Sequence, residues 1–565
     1  MDAVSAVILR PAELVMRVAD HAGWAAALAA IDRRSPLVGI ALAAAGDARR
    51  WHARPRRQAG DTFDVTLAAP SPQRFFHAPA LTAADVFAAL GKVLAAPGRA
   101  TVAVDAPEVL RRLPLGRLEF DTALARRLLG DAPSDASAGE TSAAALARGA
   151  LRDRHTLAER LHARGLGRLY KEVELPLVPV LKAIEDAGLA VDRLAIGEAK
   201  RRNDSQRRAL EQEIHRLAGR PFRIDDAKAL GEVLFGVLGL PALKRTRAQE
   251  RGGHHSVGAL ALGELARAHP LPRAVLELQR LQRLDKDCLA PLARLSDARL
   301  RSRYAALQAA TGRIAGDGPL PSWHEQRRAL GEAAGLDGIF PDAGLVTIDL
   351  AQLDLRAAAH LSEDEPLLAA CADVDPHRAL AAAALGIAPA EVLPAQRAVA
   401  KHLALGLLYG ASAGRLAADA AISVAEAKAL LAERRTRHQR LLAWQSTLVD
   451  DARRQGHALS LLGRQKALPE LADERPAIQR LGEALAVSAA IAGTAADLAK
   501  LAIVRLHHGL AAVAGRIVAL IGDAVVVEGG DAAAIAAAAD RTLAELGAEL
   551  GLRVPLCAVT RPGIA

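Results

Sequence analysis

The sequence predicts a multidomain α+β protein: an α/β unit over residues 1–150, then a larger helix-rich unit over residues 151–565. Three observations carry this reading. Hydrophobic residues are 51% of the chain but aromatic residues only 3%, so the cores must be built from Leu and Ala, which favour helices. The first stretch alternates short apolar runs with helical patterns, the mark of an α/β unit. Further on, two β-branched runs each carry a lone carboxylate to a strand end.

In the first unit, Leu37–Leu42 and Thr101–Val104 read as strands, and Thr82–Ala95 and Asp121–Leu129 as helices. Gly130–Ser142 is rich in Ser, Gly and Asp and reads as a linker or exposed loop. From Leu146 the pattern turns helical. Leu271–Leu292 is Leu-rich at helical spacing with Arg interleaved. Lys244, Arg245, Thr246 and Arg247, with Arg251–Ser256, form a basic loop between helices.

Leu345–Leu350 is a buried strand with Asp349 near its end, and a helix follows from Leu353. Alone, Asp349 reads as a helix N-cap before it reads as an oxygen ligand for Mg²⁺, because caps are far commoner than metal sites; a second stretch of complementary form shifts the balance. Pro394–Tyr409 is a helix opened by Pro and ended by Gly410. Arg397, Lys401, Leu405 and Tyr409 recur at four-residue intervals on it and share one broad stripe. Two cations, an aliphatic and a phenol suit a nucleoside triphosphate, with the helix N-terminus favouring the phosphates. Ile517–Ile521 and Ala524–Val527 flank Gly522–Asp523, a hairpin whose leading Gly favours a type II′ turn. Asp349 and Asp523 together can hold two divalent ions about 4 Å apart for in-line phosphoryl transfer.

The net charge is +9, the sign a polyanion-binding protein needs. No uncharged apolar run reaches the ~18 residues of a membrane span, so no membrane association is expected. The N-terminus lacks a basic segment followed by a long apolar core, so no signal peptide is expected. Cys288, Cys371 and Cys557 are scattered and suggest neither a disulfide framework nor a zinc site, which fits a cytoplasmic location.

These stretches resemble motifs A, B and C of family A DNA polymerases, the bacterial DNA polymerase I type. Motif A there is roughly D-Y-S-Q-I-E-L-R, matched here by Asp349, Gln352, Asp354 and Arg356. Motif B, R-x3-K-x3-F-x3-Y-G, is matched by Arg397, Lys401, Tyr409 and Gly410, with Leu405 at the aromatic position. Motif C, H-D-E, is matched at Asp523, with Gly522 and Ala524 standing where the His and the Glu would be. Thr311-Gly312-Arg313 resembles the T-G-R whose Arg lies near the primer end. Asp375-Pro376-His377 resembles an Asp-x-His whose His contacts nucleotide phosphates. Ser460 to Arg464 resembles T-L-x-G-R, a DNA contact made by Gly463 and Arg464. Gly493–Asp497 resembles G-T-A-A-D, opening a long helix through about His507.

The resemblance implies an exonuclease-like α/β domain at 1–150 and a right-hand polymerase domain at 151–565. The thumb would span about 190–300, the palm, an antiparallel sheet, about 301–370 and 470–565, and the fingers about 371–469. The helical thumb would carry Lys244 and Arg245 at a tip contacting DNA. It implies primer–template DNA and dNTPs as partners of a monomer. It also implies two Mg²⁺ ions (or Mn²⁺) on Asp349, Asp523 and the Leu350 carbonyl. Asp349, Asp523 and Lys401 would be catalytic. Arg397, Lys401, Leu405, Tyr409, His377 and Asp354 would hold the dNTP, and Arg313, Gln352, Gly463 and Arg464 the DNA.

Several positions depart from the family. The first strand, Leu37 to Ala45, has no acid where an exonuclease starts its Asp-x-Glu, and Asp105 and Asp153 remain as remnants; proofreading is expected to be absent. Ala484, Ser488 and Ala492 stand where Arg, Asn and Gln hold primer and template. Asp354 replaces a Glu that blocks the ribose 2′-hydroxyl. Three readings follow: template-directed DNA synthesis, a DNA-binding relic without turnover, and an enzyme relaxed toward ribonucleotides or lesions.

Overall fold

The computed structural model describes residues 143–241 and 257–564, apart from 310, 322, 325–335, 337, 343, 411 and 421. Before residue 143 it describes 4–5, 37–44, 62–67, 100–103, 105–110 and 117–131. The expected helix Thr82–Ala95, most of the Gly130–Ser142 linker, and Lys244 and Arg245 lie outside the described residues.

In the first unit, β1 (Leu37–Ala44) pairs in parallel with β2 (Thr62–Leu67) and with β3 (Ala100–Ala103), and β3 pairs in parallel with β4 (Arg117–Asp121). Both expected strands are present. Helix α1 (Thr122–Leu129) follows β4 directly. Asp121 caps it by accepting from Leu124 N–H, and Gly130 closes it in the left-handed region at φ 72°. Helix α2 (Ala143–Ala163) runs unbroken past residue 150, so the chain enters the second unit as helix.

The second unit is mainly helical. After α3 (Leu175–Ala187), the long helix α4 (Arg193–Ala218) packs against α5 (Pro270–Leu284). Their Leu and Ile residues form a separate core that includes Ile214, Val233, Leu271 and Leu278. Helical structure continues beyond α5 through Asp285–Leu289 and Ala290–Ala293, close to the expected Leu271–Leu292.

A four-stranded sheet lies at the centre. Strand β5 (Leu345–Leu350) leads into α6 (Leu353–Ser362). Next come α7 (Pro376–Leu385), α8 (Pro394–Tyr409), α9 (Gln439–Gln455) and α10 (Pro476–Leu510). The chain returns through β6 (Arg516–Ile521), β7 (Ala524–Glu528), α11 (Ala532–Glu549) and β8 (Ala558–Pro562). The order is β6-β7-β5-β8, with every pairing antiparallel. Alternate residues point to opposite faces, and both faces are covered. Ile348, Leu350, Val525 and Val527 enter one core with α10 and α11. Leu345, Val518, Ile521 and Val526 enter another with Trp323 and Phe340.

Gly493 does not open a helix. It lies in the middle of the 35-residue α10, because the Ala-rich run around it is strongly helix-forming and holds no Pro after Pro476. By length and hydropathy (1.6) the segment Pro476–Val513 is long and apolar enough to cross a membrane, but 94% of its apolar window is buried inside the protein. It is the central core helix. Cys288, Cys371 and Cys557 are all free thiols.

Candidate active site

Antiparallel pairing of β5 with β7 fixes the acids. Asp349 lies opposite Ala524 in the register, and the Leu350 N–H donates to the Asp523 carbonyl at 3.2 Å. Adjacent strands lie about 4.8 Å apart, so residues far apart in sequence become neighbours at one end of the sheet. Asp349 does not cap the following helix. The N-cap is Gln352, held at φ 55° with no side-chain cap bond, a left-handed conformation that costs a non-glycine residue about 1 kcal/mol. Gly522 is at φ 60° and Asp523 is not among the positive-φ residues, as a type II′ turn requires.

The Arg313 guanidinium spans the acids. One terminal nitrogen donates to both Asp354 oxygens at 2.8 and 2.9 Å; the other reaches both Asp523 oxygens at 3.5 and 3.4 Å. The Asp354 carboxylate also acts on the Tyr409 phenol. Burial raises the Asp523 carboxyl above its usual range, against the pull of Arg313, with Asp354 and Asp349 adding to the rise. Burial and Asp354 push the Tyr409 phenol up. The pocket is accessible: the Asp523 side chain is 38% exposed.

Among the described residues no group of three or more His, Cys, Asp or Glu is arranged to hold a metal. Asp349 and Asp523 are two carboxylates, and two carboxylates completed by water and phosphate oxygens are the usual environment of Mg²⁺.

Helix α8 presents the cations. The Gln396 side chain accepts the Leu393 N–H at 2.8 Å at its start, and Gly410 ends it at φ 73°. Lys401 is exposed. Arg397 Nε donates to Asp375 at 2.5 Å, the residue that caps α7. Leu405 and Tyr409 are half-buried. A cavity of about 540 Å³ opens beside Tyr409 and Gly410, lined also by Gln445, Arg453, Arg480 and Ala484; the acid pair lies outside it.

Two expected contact residues are corrected. His377 is only 1% exposed, its Nδ1 has no partner, and burial with Arg397 and Lys401 nearby pulls it down to about 4. It is a neutral, packed imidazole at the start of α7. Arg464 is 8% exposed and donates to Asp497 at 2.8 Å and to Glu174. Its Nε and one terminal nitrogen are held inside the protein by these two acids. Lys500 joins the same cluster through Glu174 at 2.6 Å, and Ser460 through Asp497 at 2.6 Å. Sequence reasoning missed this network; the signal was Glu174, a lone acid at the head of the apolar run 175–181.

The fold sets Asp349 and Asp523 together at one end of its central sheet, and similarity to known proteins gives the family. The profile of DNA polymerase family A matches residues 194–563. The chain belongs to that family. It is 34% identical over 379 residues to the thermostable DNA polymerase I of Thermus thermophilus, covering 66% of this chain and 45% of the relative. It is 33% identical over 371 residues to DNA polymerase I of Pseudomonas aeruginosa, covering 64% and 40%. The match thus spans less than half of those relatives. A solved structure, the POL domain of Pol1 from M. smegmatis in complex with DNA primer-template and dNTP, superposes with a TM-score of 0.70. It is 26% identical, with 86% of this chain and 89% of that chain covered.

Proposed function

We propose that this chain is a template-directed DNA polymerase that adds dNMP from dNTP to a primer 3′-hydroxyl and does not proofread. The observation that carries the reading is the juxtaposition of Asp349 and Asp523 through the β5–β7 pairing. Two Mg²⁺ (or Mn²⁺) ions on these carboxylates and the Leu350 carbonyl would lower the charge on the attacking and leaving oxygens. Arg397 and Lys401 bind the triphosphate, and Lys401 neutralises pyrophosphate as the bond to the α-phosphorus breaks. Leu405 and Tyr409 pack on sugar and base, while Asp354 borders the 2′ position. Arg313, Gln352 and the backbone at Gly463 face the primer–template. In this reading α4 and α5 are the thumb, the central sheet the palm, and α7 to α9 the fingers of a cytoplasmic monomer.

The absence of proofreading is supported by the remnant acids. Asp153 is paired with Arg126 at 2.6 Å and Asp105 with Arg127 at 3.6 Å, and β1 carries no carboxylate. Primer extension with Mg²⁺ tests the proposal: wild type extends and Asp349→Ala falls to background. Equal extension by both defeats the assignment. A second reading, a relic that binds DNA without turnover, is favoured by Ala484, exposed at the cavity wall without a polar side chain. Salt-sensitive primer–template binding without incorporation selects it.

A further inference from the structure

We infer that Arg313 is an internal stand-in for the divalent cation: in the free protein it occupies Asp523, and it gives up that carboxylate when metal binds. The inference rests on the proposed metal-binding role of Asp349 and Asp523.

The geometry is asymmetric. Arg313 grips Asp354 at 2.8 and 2.9 Å but touches Asp523 only at 3.5 and 3.4 Å. The first is a close, charge-assisted contact from one nitrogen to both carboxylate oxygens, and the second sits at the limit of a hydrogen bond. Both Asp354 oxygens take the same Arg313 terminal nitrogen, so this contact does not depend on where the other nitrogen points. Rotation of Arg313 about its Asp354 contact therefore releases Asp523 without unpairing Asp354.

The need for a stand-in is electrostatic. Asp349 and Asp354 both act on the Asp523 carboxylate, and like charges held this close repel. A guanidinium is a fork that contacts two carboxylates at once, which an ammonium cannot do. A divalent ion on Asp349 and Asp523 carries more charge at shorter range, so it displaces the loose arm and keeps the tight one. Metal entry and the freeing of one Arg313 arm become a single event.

The test is Mn²⁺ binding to the full-length, DNA-free protein, followed by electron paramagnetic resonance titration. The variants are Arg313→Gln, Arg313→Lys, Asp349→Asn and Asp523→Asn, each checked by circular dichroism. Competition predicts that Arg313→Gln binds Mn²⁺ about tenfold more tightly than wild type, within the usual range of site coupling. Arg313→Lys, which keeps a charge but loses the fork, tightens binding by less. In steady state, the Mg²⁺ concentration for half-maximal extension falls in Arg313→Gln, whatever happens to kcat. If Arg313→Gln does not fold, the Arg313→Lys titration alone decides. Unchanged affinity in the folded Arg313 variants, with binding weakened in Asp349→Asn and Asp523→Asn, overturns the stand-in but leaves the metal site. Unchanged affinity in the aspartate variants overturns the metal reading, and the stand-in with it.

Discussion

At the scale of single residues, Asp354 stands where the family has Glu, and the structure sets the Arg313 guanidinium on its carboxylate, with the half-buried Tyr409 phenol in its field. Tyr409→Phe deletes only the hydroxyl. The expected cost is about 1 kcal/mol, roughly fivefold in kcat/KM for dNTP, with an unchanged melting temperature; primer-extension kinetics beside a thermal melt measure both. Against the family motif Gly522 read as the loss of a histidine, yet the turn needs φ 60° there, a region where an L side chain is strained. Glycine fits this hairpin; its position before Asp523 was legible, and its conformational reason needed the backbone. Lys401 and Asp349 were legible because charge at fixed spacing is written in the sequence. The burial of His377 and Arg464 was not, because it depends on elements hundreds of residues away.

At the scale of elements, close packing between segments was invisible in the sequence. Gly312 is at φ 81°, and a Cβ there would sit 2.5 Å from Arg464 Nε. Gly312→Ala must therefore displace the guanidinium from Asp497 and Glu174. Leaving buried charges unpaired costs several kcal/mol, so this variant is expected to express poorly or melt well below wild type. Gly482 on α10 is similar but milder. An added Cβ would meet Leu471 N and Cδ2 at 2.9 Å, an overpacking of about 1–3 kcal/mol. Gly482→Ala should lower the melting temperature by a few degrees without changing metal binding, as calorimetry of the folded protein can measure. The helix α8 and the β6–β7 hairpin were placed almost residue for residue, because Pro, Gly and hydrophobic period mark their ends. The continuity of α10 was missed because the family motif at Gly493 drew a boundary that nothing local enforces.

At the scale of the whole molecule, the two units share one core. Phe120, Leu124 and Leu129 of the first unit belong to the same buried cluster as Tyr170, Leu177 and Leu181 and, through them, the central sheet. The Phe120 and Tyr170 ring centroids are 5.0 Å apart. At this junction Asp121 is buried, its carboxylate accepting from Ala106 N–H at 2.7 Å and Leu124 N–H at 3.0 Å, and its backbone bonded to the Tyr170 hydroxyl. Burial raises its carboxyl from the ordinary 3.8 to about 7, against those bonds and with Asp105 adding to it. The sign follows from proton counting. Between about pH 4 and 7 the folded state holds a proton that the unfolded state has released, so stability falls as pH rises. Above pH 7 both forms are ionised and the loss is complete. The gap from 3.8 to about 7, at 1.36 kcal/mol for each pH unit, is roughly 4 kcal/mol as an upper bound. Asp121→Asn cannot ionise, and an amide oxygen can still cap Leu124. Wild type should therefore lose stability between pH 5 and pH 8, and Asp121→Asn should lose less. Denaturant titrations at both pH values decide it: a stability difference between the two proteins that does not move with pH would mean that Asp121 stays ionised at the junction throughout.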